Sequence, residues 1–316
     1  MNKLTKVGCS AICGSLAAIT SASAGEMTVT GGVDMSWVSL SNDVTGNPIG
    51  IGSNLTFKGS GELDNGWTVD LTVANLNANA YSTTAIDIGM GGLGKLNINQ
   101  GNSGNGIDAF DDKMPTAWEE PWGGGLTTGI VLVSGVGTSQ NVQYTTPTVF
   151  GTTLTVAAAE MGQTDINDKD SGGSKADHRG KGYDATININ PSFGTEALAG
   201  LNLYLGGHNS ETYTAGRNEV YEGVAGVIFD LGPVSLGYGR QGHVTGLNKT
   251  GSDADFYRNT HYGVAINLTD DLSVSYGSHE SVKHYVNITT ANTVRARVQS
   301  YQIAYTMGGA SLRLAE

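Results

Sequence analysis

Between Asn54 and Leu76 the chain reads NLTFKGSGELDNGWTVDLTVANL, and from Leu55 to Val73 its apolar residues keep to one parity. Leu55, Phe57 and Leu63 alternate with Thr56, Lys58 and Glu62, and Trp67, Val69, Leu71 and Val73 alternate with Thr68, Asp70 and Thr72. Side chains on a strand point alternately to opposite faces, so each arm has one apolar and one polar face. The Asn65-Gly66 pair between the arms tolerates positive φ and predicts a tight hairpin turn. The unit is a two-faced β-hairpin, and what its apolar face touches decides the class of protein.

The pattern recurs along the chain. Met27 to Trp37 is a first strand, and further alternating runs follow at Ile86–Met90, Leu96–Ile98, Val142–Tyr144, Leu154–Ala158, Tyr183–Ile189, Leu201–Leu205, Tyr221–Phe229, Val234–Tyr238, Tyr262–Leu268, Leu272–Tyr276, Tyr301–Met307 and Leu312–Leu314. About 15 strands result, joined in turn by short turns and long polar connections. The long ones are expected over 41–53, 75–83, 101–140, 160–181, 211–219, 241–259 and 280–294. A chain of this length with no helical periodicity is unusual for an ordinary globular domain, and the reading is an all-β fold.

Ahead of the strands, Lys3 and Lys6 precede an apolar run, Val7 to Thr20, and Ala22-Ser23-Ala24 reads as a cleavage site, so 1–24 is expected to be a signal peptide and 25–316 the working domain. Both cysteines, Cys9 and Cys13, fall inside that signal, which leaves no disulfide framework and no thiol nucleophile. Removing the two leader lysines takes the formal charge from −12 to −14, with 15 basic against 29 acidic residues. Such a balance argues against nucleic acid as a partner.

Alternation alone fits two architectures. A soluble sandwich buries its apolar parity against a second sheet, whereas a transmembrane barrel turns that parity to lipid and encloses the polar one. The sorting of connections into short and long ends favours the barrel. So do aromatic residues towards strand ends, at Trp67, Tyr238, Tyr262 and Tyr276. A barrel in lipid has to close, because an open edge leaves backbone groups unsatisfied. The competing reading is a secreted soluble β-sandwich that binds glycans or adheres to surfaces; a barrel enzyme such as a lipase is a third.

Four stretches carry a family resemblance. NLTFKGSGELDNGWTVDL (54–71) resembles the second and third strands of Gram-negative general diffusion porins, and NVQYTTPTVFGTTLTVAA (141–158) resembles the hairpin after their constriction loop. YGVAINLTDDLSVSYGSHE (262–280) and SYQIAYTMGGASLRLAE (300–316) resemble their C-terminal hairpins. The chain is most similar to alphaproteobacterial outer-membrane porins. The resemblance implies a 16-stranded transmembrane antiparallel β-barrel, assembled as a homotrimer among outer-membrane lipid and lipopolysaccharide, with its third external loop folded inward. Residues 101–140 hold that loop's place and are also the longest connection. Porins of this type end on an aromatic residue, whereas this chain ends Leu314-Ala315-Glu316, so the sequence is expected to lack a final strand.

A diffusion channel for small hydrophilic solutes and ions needs no catalytic residue, metal or cofactor. Its selectivity resides in charged side chains at the narrowest point. Inward parity supplies Asp34, Lys58, Glu62, Asp70, Asp87, Lys95, Asp184, His261, His279 and Arg313, and the long connection adds Asp108, Asp111, Asp112, Glu119 and Glu120 against Lys113. The expectation is that the loop acids face Lys58 and Lys95 across the pore, which makes the channel mildly cation-selective. Gly89 to Lys95 spells G-x-x-x-x-G-K, but Leu96 stands where a magnesium-binding hydroxyl belongs and the context is a hairpin. His279, Glu280 and His284 miss the zinc-protease spacing and are expected at a loop mouth.

Overall fold

The computed structural model describes residues 27–37, 49–63, 65–76, 83–100, 104–121, 129–137, 139, 141–160, 163–164, 174–175, 179–191, 198–212, 217–247, 254–286, 293–307 and 310–316. The expected leader lies outside them. Strands are β1 (Met27–Trp37), β2 (Ile49–Glu62), β3 (Thr68–Leu76), β4 (Thr83–Gly89), β5 (Lys95–Gln100), β6 (Asn141–Thr145), β7 (Thr152–Glu160), β8 (Gln163–Thr164) and β9 (Ser174–Lys175). They continue with β10 (Arg179–Ile189), β11 (Leu201–Thr212), β12 (Val220–Leu231), β13 (Val234–Val244), β14 (Ala254–Asn267), β15 (Leu272–Tyr285), β16 (Val294–Met307) and β17 (Ala310–Ala315).

Fifteen of these form one antiparallel sheet in which every strand pairs with its neighbours in sequence, β8 and β9 making a separate small hairpin in the connection from β7 to β10. The order runs from β1 to β17, and among the described residues those two end strands are not joined. A meander of this kind needs only hairpins, and the first turn shows why they form. Gly66 takes φ +80°, its N–H donates to Leu63 O, and Leu63 N–H donates to Trp67 O at 2.7 Å. The G-x-x-x-x-G-K stretch is likewise a turn between β4 and β5 rather than the mouth of a phosphate site.

The two faces are inverted relative to a water-soluble protein. Leu205 is 57 % exposed and Tyr301 66 % exposed, while Ser235, Asn259 and His261 are at most 1 % exposed. Leu71, Ile98, Leu154, Val156, Leu203, Leu236 and Ile303 are exposed too, all on the parity assigned to the outside. So large a continuous apolar surface is incompatible with water and suits hydrocarbon. The soluble sandwich, with its apolar parity packed on a second sheet, is thereby excluded. No helix among the described residues is long and apolar enough to cross a membrane.

Several strands outrun the expected bounds. β13 reaches Val244, β14 starts at Ala254, and β15 reaches Tyr285, inside regions expected to be loop from 241 and from 280. The ladder continues there because hydrogen bonding is indifferent to side chains, whereas the outward residues turn from apolar to charged: Arg240, Arg258, Glu280, Arg295 and Arg297. Alternation of hydropathy stops before the strand does.

Candidate functional site

The connection between β5 and β6 folds into the space the sheet encloses. A short 3-10 turn, Gly106–Phe110, places Ile107 and Phe110 in an apolar cluster with Met114, Val133, Tyr204 and Val224. The Phe110 and Tyr204 rings stack at 5.1 Å and 18°. This internal core seats the loop against a wall, and a second, smaller one joins Val136 of the loop to Ala157 and Ala159 of β7.

The wall is shaped for it. Gly237, Gly263 and Gly277 are paired in register across β13, β14 and β15 and point inward. A Cβ on Gly237 or Gly263 would strike Met114 or Pro115, and one on Gly277 would strike Pro121. The missing side chains form a trough that the loop fills.

Polar side chains then fix the loop's backbone. Asp184 Oδ2 on β10 accepts from the N–H groups of Ile107 at 2.9 Å and Val136 at 3.1 Å, while its Oδ1 lies 2.5 Å from His208 Nδ1. Glu222 Oε2 on β12 accepts from Ser134 N at 3.0 Å and Gly135 N at 2.6 Å, and its Oε1 lies 3.2 Å from His243 Nδ1. Each clamp is thus a buried carboxylate beside a histidine and receiving two backbone donors, the charge-assisted arrangement that keeps a buried anion tolerable. Gly106 and Gly135 take φ +57° and +52°, and a Cβ at either would overlap the Asp184 carboxylate. Only glycine lets the backbone come this close.

Amides extend the attachment. Gln241 accepts from Val133 N at 3.2 Å and donates to Asp111 O. Asn259 donates to Val131 O at 2.5 Å. Ser275 Oγ accepts from Ala117 N at 2.8 Å, and Gln302 accepts from Glu119 N at 3.2 Å and donates to Glu119 O at 2.5 Å. At the loop's roots, Asn99 bonds both Asn105 and Asn141, and Gln143 accepts from Gly106 N at 2.8 Å.

Five acids ride on this fixed loop. Asp108, Asp111, Asp112, Glu119 and Glu120 are all partly buried. Burial first, then the charges of Asp112 and Asp108, push Asp111 up to about 8. Burial, then Glu119 and Asp112, push Glu120 up to about 9. Asp108 and Asp112 are raised as well, each chiefly by burial. Lys113 stands beside them with its Nζ 5.4 Å from the Phe110 ring centroid.

The other expected pore residues stand on β2–β5. Lys58 and Glu62 on β2 and Asp70 on β3 are exposed. Asp70 lies directly across from Asp87 on β4, and Lys95 Nζ bonds Asp87 Oδ1 at 2.8 Å. Asp34 belongs to β1, and its side chain lies outside the described residues. Asp184, expected as a lumen charge, serves the loop instead. His261 and His279 pack ring to ring at 4.8 Å and are buried on the inner wall, so His279 is not at a loop mouth; His284 packs on Phe256 at 5.8 Å. Arg313 lies over the Trp118 ring at 5.9 Å. Glu222, Gln241, Asn259, Ser275, Gln302 and the glycine trough were not singled out from sequence. Inward parity marks their positions, yet nothing local distinguishes a loop anchor from a lumen charge.

Known proteins share this fold. A porin refined at 1.8 Å resolution matches with a TM-score of 0.63 at 12 % identity, over 91 % of this chain and 92 % of that one. OmpF of Salmonella typhi, solved with daunomycin, matches with a TM-score of 0.63 at 13 % identity, over 95 % and 91 %. An anion-selective porin from Comamonas acidovorans matches with a TM-score of 0.57 at 13 % identity, over 90 % and 85 %. No curated protein sequence matches. The family model for Gram-negative porins matches residues 9–308. A barrel with an apolar outside, a polar inside and a loop clamped within it, matched by that model over nearly its whole length, places the chain in the Gram-negative porin family of the outer membrane.

Proposed function

We propose that this porin passes small hydrophilic solutes and ions by diffusion and mildly favours cations. The observation that carries the selectivity is the single-sign loop: five carboxylates, Asp108, Asp111, Asp112, Glu119 and Glu120, against one lysine in residues 101–140. The same fold serves an anion-selective porin, so the sign comes from side chains and not from the barrel. Carboxylates around a narrow, low-dielectric passage concentrate cations and repel anions. Lys58 supplies the opposing charge from β2, with Lys95 already engaged by Asp87, and Glu62 and Asp70 add to the acidic side. The barrel works as a homotrimer embedded in outer-membrane lipid and lipopolysaccharide, as the porin resemblance implies.

The loop's electrostatics give the test a pH axis. A carboxyl group whose folded value is raised keeps its proton at neutral pH and releases it as pH climbs through that value. Asp111 and Glu120 therefore add negative charge between roughly pH 8 and 9. The potassium-to-chloride permeability ratio from bilayer reversal potentials is expected to rise roughly twofold from pH 6.5 to 9.5. Asp111→Asn with Glu120→Gln is expected to flatten that rise, and Asp111→Asn with Asp112→Asn to lower the ratio at pH 9.5, where both acids are ionised. Equal permeability of both ions at every pH, unaffected by these changes, would dispose of the cation preference.

A further inference from the structure

One inward row crosses five strands of the wall. Tyr204 of β11 pairs with Gly226 of β12, Gly226 with Gly239 of β13, Gly239 with His261 of β14, and His261 with His279 of β15. The tyrosine at one end and the two histidines at the other are all buried.

The glycines between them bring the two ends together. A Cβ on Gly226 would strike the Tyr204 ring and hydroxyl, and one on Gly239 would strike both Tyr204 Oη and His261 Nε2. The tyrosine therefore lies flat across β12 and β13, stacked on Phe110 of the loop, with its hydroxyl brought up to the imidazole. His279 stands on the far side of His261, the ring centres 4.8 Å apart and the planes at 38°.

These polar groups meet where little satisfies them. Neither ring nitrogen of His261 nor the Tyr204 hydroxyl has a hydrogen-bond partner among the described residues. A buried polar atom left so costs about 1–3 kcal/mol, and a convergent set of them calls for an occupant. Metal–nitrogen bonds of about 2.0–2.1 Å place two imidazoles bound side by side on one ion with ring centres about 4.5–5 Å apart. The histidine pair has that separation. Among the described residues no group of three His, Cys, Asp or Glu could hold a metal ion, so the third donor here is a phenol. A set without carboxylates offers little to calcium or magnesium, which take oxygen ligands.

We propose that this row binds one divalent transition-metal ion between His261 and His279, with Tyr204 Oη as a further donor, and that copper(II) binds tightest. Imidazole suits copper, nickel and zinc, and copper(II) heads that series. The loop's carboxylates concentrate cations beside the row. An ion held there ties β11 to β14 and β15 across two intervening strands and braces the ring on which Phe110 is seated. The site is separate from the cation preference, which resides in the loop acids.

The test titrates copper(II) into the full chain, purified in detergent without a histidine tag, and reads calorimetry and electron paramagnetic resonance. One copper per chain is expected, with the splitting pattern of two nitrogens. Zinc is expected to compete, and a roughly hundredfold excess of calcium is not. His261→Gln or His279→Gln is expected to weaken copper binding at least tenfold and to remove one nitrogen from the spectrum. Tyr204→Phe is expected to weaken binding a few-fold and to keep both nitrogens. A second measurement leaves both histidines in place: bound copper should broaden a nitroxide label at Thr260→Cys, next to His261, at least twice as strongly as one at Leu71→Cys on β3. Absence of copper binding, a spectrum without nitrogen splitting, displacement by calcium, or equal broadening of the two labels overturns the site. Channels that conduct normally but bind no copper defeat this inference alone, whereas failure to form channels defeats the pore reading.

Discussion

Asp184→Ala combined with Glu222→Ala is expected to raise single-channel conductance by roughly a factor of two and to admit larger sugars in liposome-swelling assays. Together the two carboxylates accept from Ile107, Val136, Ser134 and Gly135 backbone N–H groups. Hydrogen bonds to a charged acceptor contribute about 1.5–3 kcal/mol each, partly offset here because freed donors can reach lumen water. Losing all four should release the loop at both its Ile107 and Ser134 ends, at a cost of about 3–5 kcal/mol in unfolding stability. Gln241, Ser275 and Gln302 would still hold Asp111, Ala117 and Glu119, and Asn259 would still hold Val131, so the pore widens without emptying. The single change Glu222→Gln keeps an acceptor oxygen and should fall between. Parent-like conductance and size limit in the double variant would mean that this loop is not what narrows the channel.

Moving an arginine four residues along β13 should have an equally large effect of another kind. Arg240 sits in the charged outer row, whereas Leu236 lies in the apolar rows on the same face, 44 % exposed. Leu236→Arg is expected to destabilise the folded barrel in a bilayer by about 2–4 kcal/mol, measured by denaturant titration, because an outward cation at that depth meets hydrocarbon. In water, an arginine at so exposed a position would be close to neutral. An unchanged unfolding midpoint would therefore count against lipid on that face.

Parity made the strands legible: Leu55, Phe57 and Leu71 marked the apolar face of each ribbon, though not what that face touches. It failed where the outward residues became charged, at Arg240, Arg258 and Glu280, because the ladder hydrogen bonds continue where hydropathy no longer alternates. The loop's place was legible from its length. Its attachment was not, since Asp184 and Glu222 lie 77 and 87 residues beyond the donors Ile107 and Gly135. No local pattern encodes so distant a partner. Gly237, Gly263 and Gly277 looked like weak points in three strands, and only their alignment across the sheet makes them a trough. The five loop acids were found by composition, yet the upward push on Asp111 and Glu120 depends on burial that sequence does not show.

Site-directed spin labelling along β13–β16 tests most directly which face meets lipid. Labels placed one at a time at Leu236, Val264 and Ile303, and at their neighbours Ser235, Ala265 and Gln302, would be read in a bilayer for collision with oxygen and with a water-soluble nickel chelate. The account predicts high oxygen and low nickel accessibility at the first three, and low oxygen accessibility at the second three. Reversed parity, or equal protection of both sets from oxygen, would contradict it.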